Sequence, residues 1–235
     1  MAQQHFDRLS ALDASFLAQE GPSSHMHVGG VTLFEGPAPS YEEVLDQVRG
    51  RLHLVPRYRQ RLTFPRFESG RPLWVDDPSF HLEYHVRQTA LPRPGAEDQL
   101  MALTARIFSQ PLDRSKPLWE LWMVEGVEDG RWALLSKNHH ALIDGISGVD
   151  LVTVLFDLAP VPQPVPHPDA PWTPEPEPGA ATVLASGASF PPGCGSAPAL
   201  TARASTRFMP AIPPSSFRLR PLFSNMLDSP RDSVM

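Results

Sequence analysis

The sequence predicts an α/β fold with a mixed β-sheet flanked by helices, and two observations lead to this class. Stretches with apolar residues at helical spacing alternate with short β-rich runs over the first 160 residues, a pattern typical of α/β proteins. Two of the β-rich runs, 119–126 and 131–138, flank Asp129-Gly130, a residue pair typical of hairpin turns. The sheet is therefore expected to contain a hairpin beside strands that alternate with helices.

Two helices and one strand are predicted before Pro56. Residues 8–19 form the first helix, whose apolar face consists of Leu9, Leu12, Phe16 and Leu17. A strand follows over residues 26–34. Ser40 and Glu43 form a capping box at the start of the second helix, because each side chain can bond the other residue's backbone N–H. This helix ends at Pro56, and its buried face consists of Val44, Leu45, Val48 and Leu52.

The remaining elements lead to the hairpin and continue beyond it. Residues 73–75 and 82–86 are predicted to be short extended pieces. Residues 96–108 form an amphipathic helix with one apolar face, made by Leu100, Leu103 and Ile107. Residues 146–158 are predicted to be helical. The segment between the second hairpin strand and this last helix therefore lies where a strand ends and a helix begins.

That segment reads His139-His140-Ala141-Leu142-Ile143-Asp144-Gly145. Strand ends of α/β folds open into crevices where sites lie, and a neutral imidazole there can act as a general base. Asp144 can either orient a histidine or brace the loop by pairing with an arginine. Gly145 either relieves crowding or allows a close backbone approach to a substrate. The alternative is a plain turn with one buried histidine, but the strand–motif–helix context favours a functional site.

Strand geometry separates the two histidines of this motif. Neighbouring side chains of an extended backbone point to opposite faces, so His139 and His140 are not expected to hold one metal ion together. His25 and His27 do share a face, but no third ligand is evident in the sequence. A metal site is therefore not predicted.

Composition divides the chain into three parts. Of the 28 prolines, 16 lie in residues 161–235, far above the usual share of about 5 %. We expect a domain over residues 1–159, a Pro-rich linker over 160–179, and a poorly ordered tail over 180–235 without a sustained hydrophobic period. A shifted reading frame or premature end after about residue 183 is one hypothesis for the tail.

Charge and cysteine content exclude several classes of protein. The formal net charge of −6 argues against a nucleic-acid-binding protein, which would present a basic surface. The single cysteine, Cys194, excludes a disulfide framework and a thiolate zinc site, and it is interpreted as an incidental thiol of the tail. The sequence has neither an apolar run long enough to span a membrane nor a signal peptide, so the cytoplasm is the expected compartment.

A basic segment, Arg57-Tyr58-Arg59-Gln60-Arg61-Leu62, leaves three interpretations open. It is either a solvated face or a contact to an anionic ligand group, since the guanidinium geometry suits phosphate. With Phe64 and Phe67 nearby, the arginines could also touch an anionic lipid surface.

The motif residues 139–145 match the His-His-x-x-x-Asp-Gly signature of the CoA-dependent acyltransferase superfamily, which includes chloramphenicol acetyltransferases and peptide-synthetase condensation domains. More narrowly, the chain resembles bacterial wax ester synthase/diacylglycerol acyltransferases over about residues 6–178. The resembling segments follow in the family's order: 10–13, 26–29, 59–64, 74–78, 84–86, 111–120 and 139–148.

This resemblance implies a chloramphenicol-acetyltransferase-like N-terminal domain of an O-acyltransferase. Such an enzyme moves a fatty acyl group from acyl-CoA to diacylglycerol or a long-chain alcohol, and acyl-CoA is a substrate, so no cofactor is expected. The second motif histidine is the family's base, which corresponds to His140 beside His139. Asp144, followed by Gly145, is usually structural in the family. Pro117, Leu118 and Trp119 match a family motif that is expected to position the site.

The family's second domain has no counterpart in these 235 residues, so the sequence suggests a truncated homologue with the catalytic motif intact. Its expected partners are acyl-CoA, the acyl acceptor and a membrane or lipid-droplet surface that it contacts peripherally. One alternative is an inactive remnant that at most binds lipid or a partner. Another is a condensation-like domain acting on carrier-bound acyl groups, which would predict a neighbouring carrier domain.

Overall fold

A mixed four-stranded sheet organises the part of the chain that the structure describes. The structure is a computed structural model, and it describes residues 7–21, 24–64, 71–143, 165 and 170–179. The helices and strands are, in chain order, α1 (Ala11–Gln19), β1 (His27–Phe34), α2 (Tyr41–Arg51), β2 (Gln60–Thr63), β3 (Leu73–Asp76), α3 (Leu82–His85), β4 (Val86–Ala90), α4 (Glu97–Phe108), β5 (Trp119–Val127), β6 (Arg131–His139) and α5 (His140–Ile143). Short 3-10 helices cover Leu52–Leu54, Pro56–Arg59 and Glu128–Gly130.

The strand order of the main sheet is β1-β6-β5-β4. β6 pairs antiparallel with both β1 and β5, whereas β4 and β5 are parallel, which confirms the predicted mixed sheet. β2 and β3 form a separate antiparallel pair. Asp129 and Gly130 have φ angles of 64° and 70°, the positive values that a type I′ hairpin turn requires. The predicted hairpin is therefore confirmed, and its second strand ends at His139.

The two faces of β6 contribute to two cores because its side chains alternate. Trp132 and Leu134 pack into a cluster that includes the buried apolar residues of α2. Ala133 and Leu135 face the opposite way and pack with Leu100 and Ile107 of α4. The strand is buried along nearly its whole length, so the motif that follows it is anchored by a well-packed element.

The predicted helices exist, with differences at their ends and faces. The capping box of Ser40 and Glu43 is present, but α2 ends at Arg51 and the chain continues through 3-10 turns to Pro56. Leu12, one of the apolar residues at helical spacing in the first predicted helix, is 58 % exposed. The predicted helix over 146–158 lies outside the described residues. Within the described ranges, no helix is both long and apolar enough to cross a bilayer.

The prediction of an extended piece over 82–86 is wrong for most of its length. Leu82–His85 form one helical turn, and the strand begins only at Val86 and continues to Ala90. His85 is buried, and its Nδ1 lies 2.9 Å from the carbonyl oxygen of Trp119. This contact with β5 holds the turn in place, a tertiary effect that local β propensity does not reveal.

Part of the predicted Pro-rich linker lies against the domain. Trp172 stacks on Arg59, with 5.0 Å from the guanidinium carbon to the ring centroid. The backbone N–H of Glu175 donates to Asp76 Oδ2 at 3.0 Å, and Arg61 donates to Glu177 Oε2 at 2.9 Å. Residues 170–179 therefore run along the β2–β3 pair without regular secondary structure. The division at 159 and 179 stays a prediction, and residues 180–235 lie outside the described ranges.

Among the glycines that the structure describes, Gly95 is expected to tolerate alanine least. Its φ is +81°, and a Cβ there would lie 1.8 Å from the carbonyl oxygen of Gly126, whereas Gly36 has a similar φ of +84° in open space. Gly36→Ala should therefore lower the free energy of unfolding only by the cost of a left-handed backbone conformation, about 1–2 kcal/mol. Gly95→Ala should cost roughly 1–3 kcal/mol more because of the steric clash. Urea denaturation measures both, and equal losses would contradict the close approach.

Candidate active site

The two motif histidines diverge at the end of β6. His139 is the last residue of the strand and is 0 % exposed, whereas His140 begins α5 and is exposed. The separation expected from strand geometry is therefore present. Only the His140 ring is accessible to a reactant, and His139 belongs to the interior.

Three contacts fix His139. Its backbone N–H donates to the carbonyl oxygen of Leu118 at 3.0 Å. Its Nδ1 accepts from the N–H of Ala141 at 3.0 Å, so the neutral ring carries its proton on Nε2. Nε2 lies 3.6 Å from Glu20 Oε2. Burial lowers the His139 pKa to about 4, against the opposing charge of Glu20, so the ring is neutral at neutral pH and this contact is not an ion pair there.

His140 is held by its backbone and by one face of its ring. Its N–H donates to the carbonyl oxygen of Met26, just before β1, at 2.8 Å. The ring stacks on Phe16 of α1, with 4.5 Å between centroids and 24° between planes. α1 and the residue before β1 thus orient an exposed imidazole, as a general base requires.

Pro117, Leu118 and Trp119 are buried beside the end of β6. Leu118 supplies the carbonyl that holds the His139 backbone. The Trp119 indole N–H donates to the carbonyl oxygen of Tyr58 at 2.8 Å, and its ring stacks on His85. These contacts suit a positioning role, which stays a prediction. Asp144, Gly145 and Cys194 lie outside the described residues.

His25 and His27 connect β1 to the end of α4. Their Nε2 atoms lie 3.0 Å from the Ser109 carbonyl oxygen and 2.7 Å from that of Phe108, respectively. In the described ranges, no cluster of three histidine, cysteine or acidic side chains is arranged to hold a metal ion. The observed role of this histidine pair is to join two elements.

The arginines of the basic segment have partners within the chain. Arg57 pairs with Asp7 and lies over the Trp74 ring, and Arg59 and Arg61 contact Trp172 and Glu177. Phe64 is 53 % exposed, and Phe67 lies outside the described residues. The interpretations of this segment as an anion- or lipid-binding surface stay predictions.

Sequence reasoning missed a buried lysine on the β6 face that carries His139. Lys137 is 0 % exposed, and its ammonium donates to the carbonyl oxygen of Ile107 at 3.0 Å and to that of Gln110. Glu120 Oε2 lies 4.0 Å away. Burial lowers the Lys137 pKa. A lysine in alternation with the apolar residues Ala133 and Leu135 of the same strand was the signal that could have found it.

Acid is expected to destabilise the fold through two buried histidines. Burial lowers the pKa of both His85 and His139 to about 4, compared with about 6.5 in the unfolded chain. Between these pH values the unfolded state binds more protons, so stability is full above about pH 6.5 and falls as the pH drops towards 4. Each histidine should contribute roughly 3 kcal/mol to this loss.

The variant His85→Asn isolates one of the two contributions, because it keeps a donor for the Trp119 carbonyl. The difference in unfolding free energy between wild type and variant should be smaller at low pH than at pH 7. If the difference between them does not change with pH, His85 does not titrate as described.

Comparison with known proteins places the chain among acyltransferases. The sequence profile of the family described as "Wax ester synthase/diacylglycerol acyltransferase catalytic domain" matches residues 9–220. The chain is 42 % identical over 179 residues to the probable diacylglycerol O-acyltransferase tgs3 of Mycobacterium tuberculosis, covering 75 % of this chain and 65 % of that protein. It is 45 % identical over 153 residues to tgs1 of the same species, covering 64 % of this chain and 33 % of that protein.

A solved structure gives the same result. The wax ester synthase/diacylglycerol acyltransferase from Marinobacter aquaeolei matches with a TM-score of 0.52 and 37 % identity, covering 60 % of this chain and 36 % of that one. The chain thus spans less than two thirds of the length of each of these relatives. Because the family match covers most of its residues, including all those around the two histidines, the chain belongs to the wax ester synthase/diacylglycerol acyltransferase catalytic domain family.

Proposed function

We propose that this chain carries the catalytic base of an O-acyltransferase that moves a fatty acyl group from acyl-CoA to diacylglycerol or a long-chain alcohol. Family membership supports the reaction class. The names of the relatives support the acceptors, since they are called diacylglycerol O-acyltransferases or wax ester synthases.

The observation that carries the proposal is the contrast between the two motif histidines. His140 is exposed at the end of β6, whereas His139 is buried and held neutral. Only His140 can meet a hydroxyl group of an acceptor. Its ring is oriented by Phe16 and its backbone by Met26, which supports a defined approach geometry.

In the proposed reaction, His140 takes the proton of the acceptor hydroxyl while that oxygen attacks the thioester carbonyl carbon. The C–S bond breaks as the new C–O ester bond forms, and the protonated imidazole returns its proton to the CoA thiolate. The proton count balances without an acyl-enzyme. We assign Asp144 a structural role in the loop. We assign Pro117, Leu118 and Trp119 the role of positioning the end of β6.

The experiment is a CoA-release assay with the purified chain, palmitoyl-CoA, and either dioleoylglycerol or hexadecanol. We expect release that depends on the acceptor. Circular dichroism on the same preparation establishes that the chain is folded. A folded chain without any turnover would contradict the proposal and favour the alternative, an inactive homologue that at most binds lipid or a partner.

A further inference from the structure

An ion pair between a buried carboxylate and a partly exposed guanidinium lies between α1 and the loop that precedes β5. Glu20 directly follows α1, and its side chain is 7 % exposed. Arg114 donates twice to Glu20 Oε2, from Nε at 2.8 Å and from Nη2 at 2.6 Å. The same Nη2 donates to the carbonyl oxygen of Leu17 at 2.8 Å. Arg114 therefore fixes both the carboxylate and the last turn of α1.

The carboxylate of Glu20 reaches both motif histidines. Its Oε2 lies 3.6 Å from His139 Nε2. Its Oε1 accepts from the Met26 N–H at 3.3 Å, and the Met26 carbonyl in turn accepts from the His140 N–H. One side chain thus approaches the first histidine directly and holds the second through a single residue.

The His140 ring depends on the same helix end. It stacks on Phe16, the residue before Leu17, whose carbonyl Arg114 holds. A shift of this last turn of α1 would move the aromatic surface on which the imidazole lies. Both the backbone and the ring of His140 are therefore connected to the Glu20–Arg114 pair.

Glu20 is charged at neutral pH despite its burial. Burial alone would raise its pKa, but the hydrogen bonds from Arg114 and from the Met26 backbone outweigh this and hold the pKa below its usual value. A buried ion pair is weak evidence for stability, because desolvation opposes the attraction between the charges. Its contacts with the motif suggest that the pair positions the two histidines instead.

We infer that Glu20 and Arg114 are positioning residues that hold His140 in its reactive orientation. The inference rests on the proposed function. Neither residue needs to touch a substrate. Arg114 acts through the end of α1, and Glu20 acts through Met26 and His139. The groups that face His139 are Glu20, Arg114, His27 and His140, so Glu20 is the one anion of this set.

The test compares Glu20→Gln with Arg114→Lys in the full chain. Glutamine keeps the shape and an acceptor for the Met26 N–H but removes the charge, and lysine keeps the charge but loses the two-pronged contact. For Glu20→Gln we expect kcat to fall by about tenfold or more, since small misplacements of a catalytic group are costly, with the KM for palmitoyl-CoA unchanged. Arg114→Lys should retain more activity than Arg114→Ala.

Asp46→Asn is the matched control, because it breaks an exposed ion pair with Arg49 on α2. It should leave kcat and KM at wild-type values. Wild-type kcat in Glu20→Gln overturns the inference, as does a loss of kcat that merely follows a loss of folded protein. If Glu20→Gln does not fold, the two Arg114 variants are compared instead. Higher activity in Arg114→Lys than in Arg114→Ala supports the inference, and equal activity overturns it.

A second readout separates this inference from the proposed function. In a chain with ¹⁵N-labelled histidines, Glu20→Gln should move the His139 titration to lower pH, since Glu20 raises the His139 pKa, and should shift the His140 ring signals. Asp46→Asn should change neither. If the wild-type chain shows no turnover, the proposed function fails, and unchanged histidine signals in Glu20→Gln would overturn the positioning role as well.

Discussion

Replacing His140 with alanine is expected to lower kcat for acyl transfer by about 10²–10⁴-fold, the usual contribution of a positioned general base. The fold should survive, because the ring is exposed and its strand is anchored by other residues. The His140 backbone N–H, which bonds Met26, remains in the variant. Steady-state kinetics and urea denaturation on the same preparation measure both effects.

His81→Ala is the matched control for this variant. His81 is also exposed, but it lies before α3, far along the chain from the motif. Its removal should leave kcat close to the wild-type value. Near-wild-type kcat in His140→Ala would show that another group takes the acceptor proton.

Replacing Lys137 with methionine is expected to lower the free energy of unfolding by about 3–5 kcal/mol, as when one member of a buried charged network is removed. Methionine fills a similar volume but donates no hydrogen bonds. The carbonyl oxygens of Ile107 and Gln110 would lose their ammonium donor, and Glu120 would lose its nearby cation. The connection between β6 and the end of α4 would weaken as a result.

Lys116→Met is the comparison for this stability measurement. Lys116 is 29 % exposed, and its Nζ lies 3.8 Å from Oδ2 of the buried Asp77, beyond hydrogen-bonding distance, so its loss should cost less than the loss of Lys137. A Lys137→Met variant as stable as the Lys116→Met variant would show that the buried ammonium does not stabilise the fold.

Local signals in the sequence account for the elements that were predicted correctly. The Asp129-Gly130 pair defines the hairpin turn by its positive φ angles, and the capping box at Ser40 marks the start of α2. The separation of His139 from His140 was predicted from strand alternation, and in the structure it occurs where β6 ends and α5 begins. The predicted helix faces around Leu100 and Ile107 are buried as well.

The features that were missed depend on residues distant in sequence. The helical turn at Leu82–His85 is held by Trp119, which lies 34 positions from His85. Glu20 and Arg114 are separated by 94 positions, and Lys137 donates to the carbonyl oxygen of Ile107 in α4, which lies 30 positions away. No periodicity or turn signal links such partners, so only the folded chain brings them together.

The most direct test of the central claim is to follow the acyl group itself, because CoA release alone does not separate transfer from thioester hydrolysis. The chain would be incubated with ¹³C-palmitoyl-CoA and dioleoylglycerol or hexadecanol, and the lipids analysed by mass spectrometry. We predict labelled triacylglycerol or wax ester with the wild-type chain and none above background with His140→Ala. Labelled free palmitate as the sole product, or equal ester formation by both chains, would contradict acyl transfer by His140.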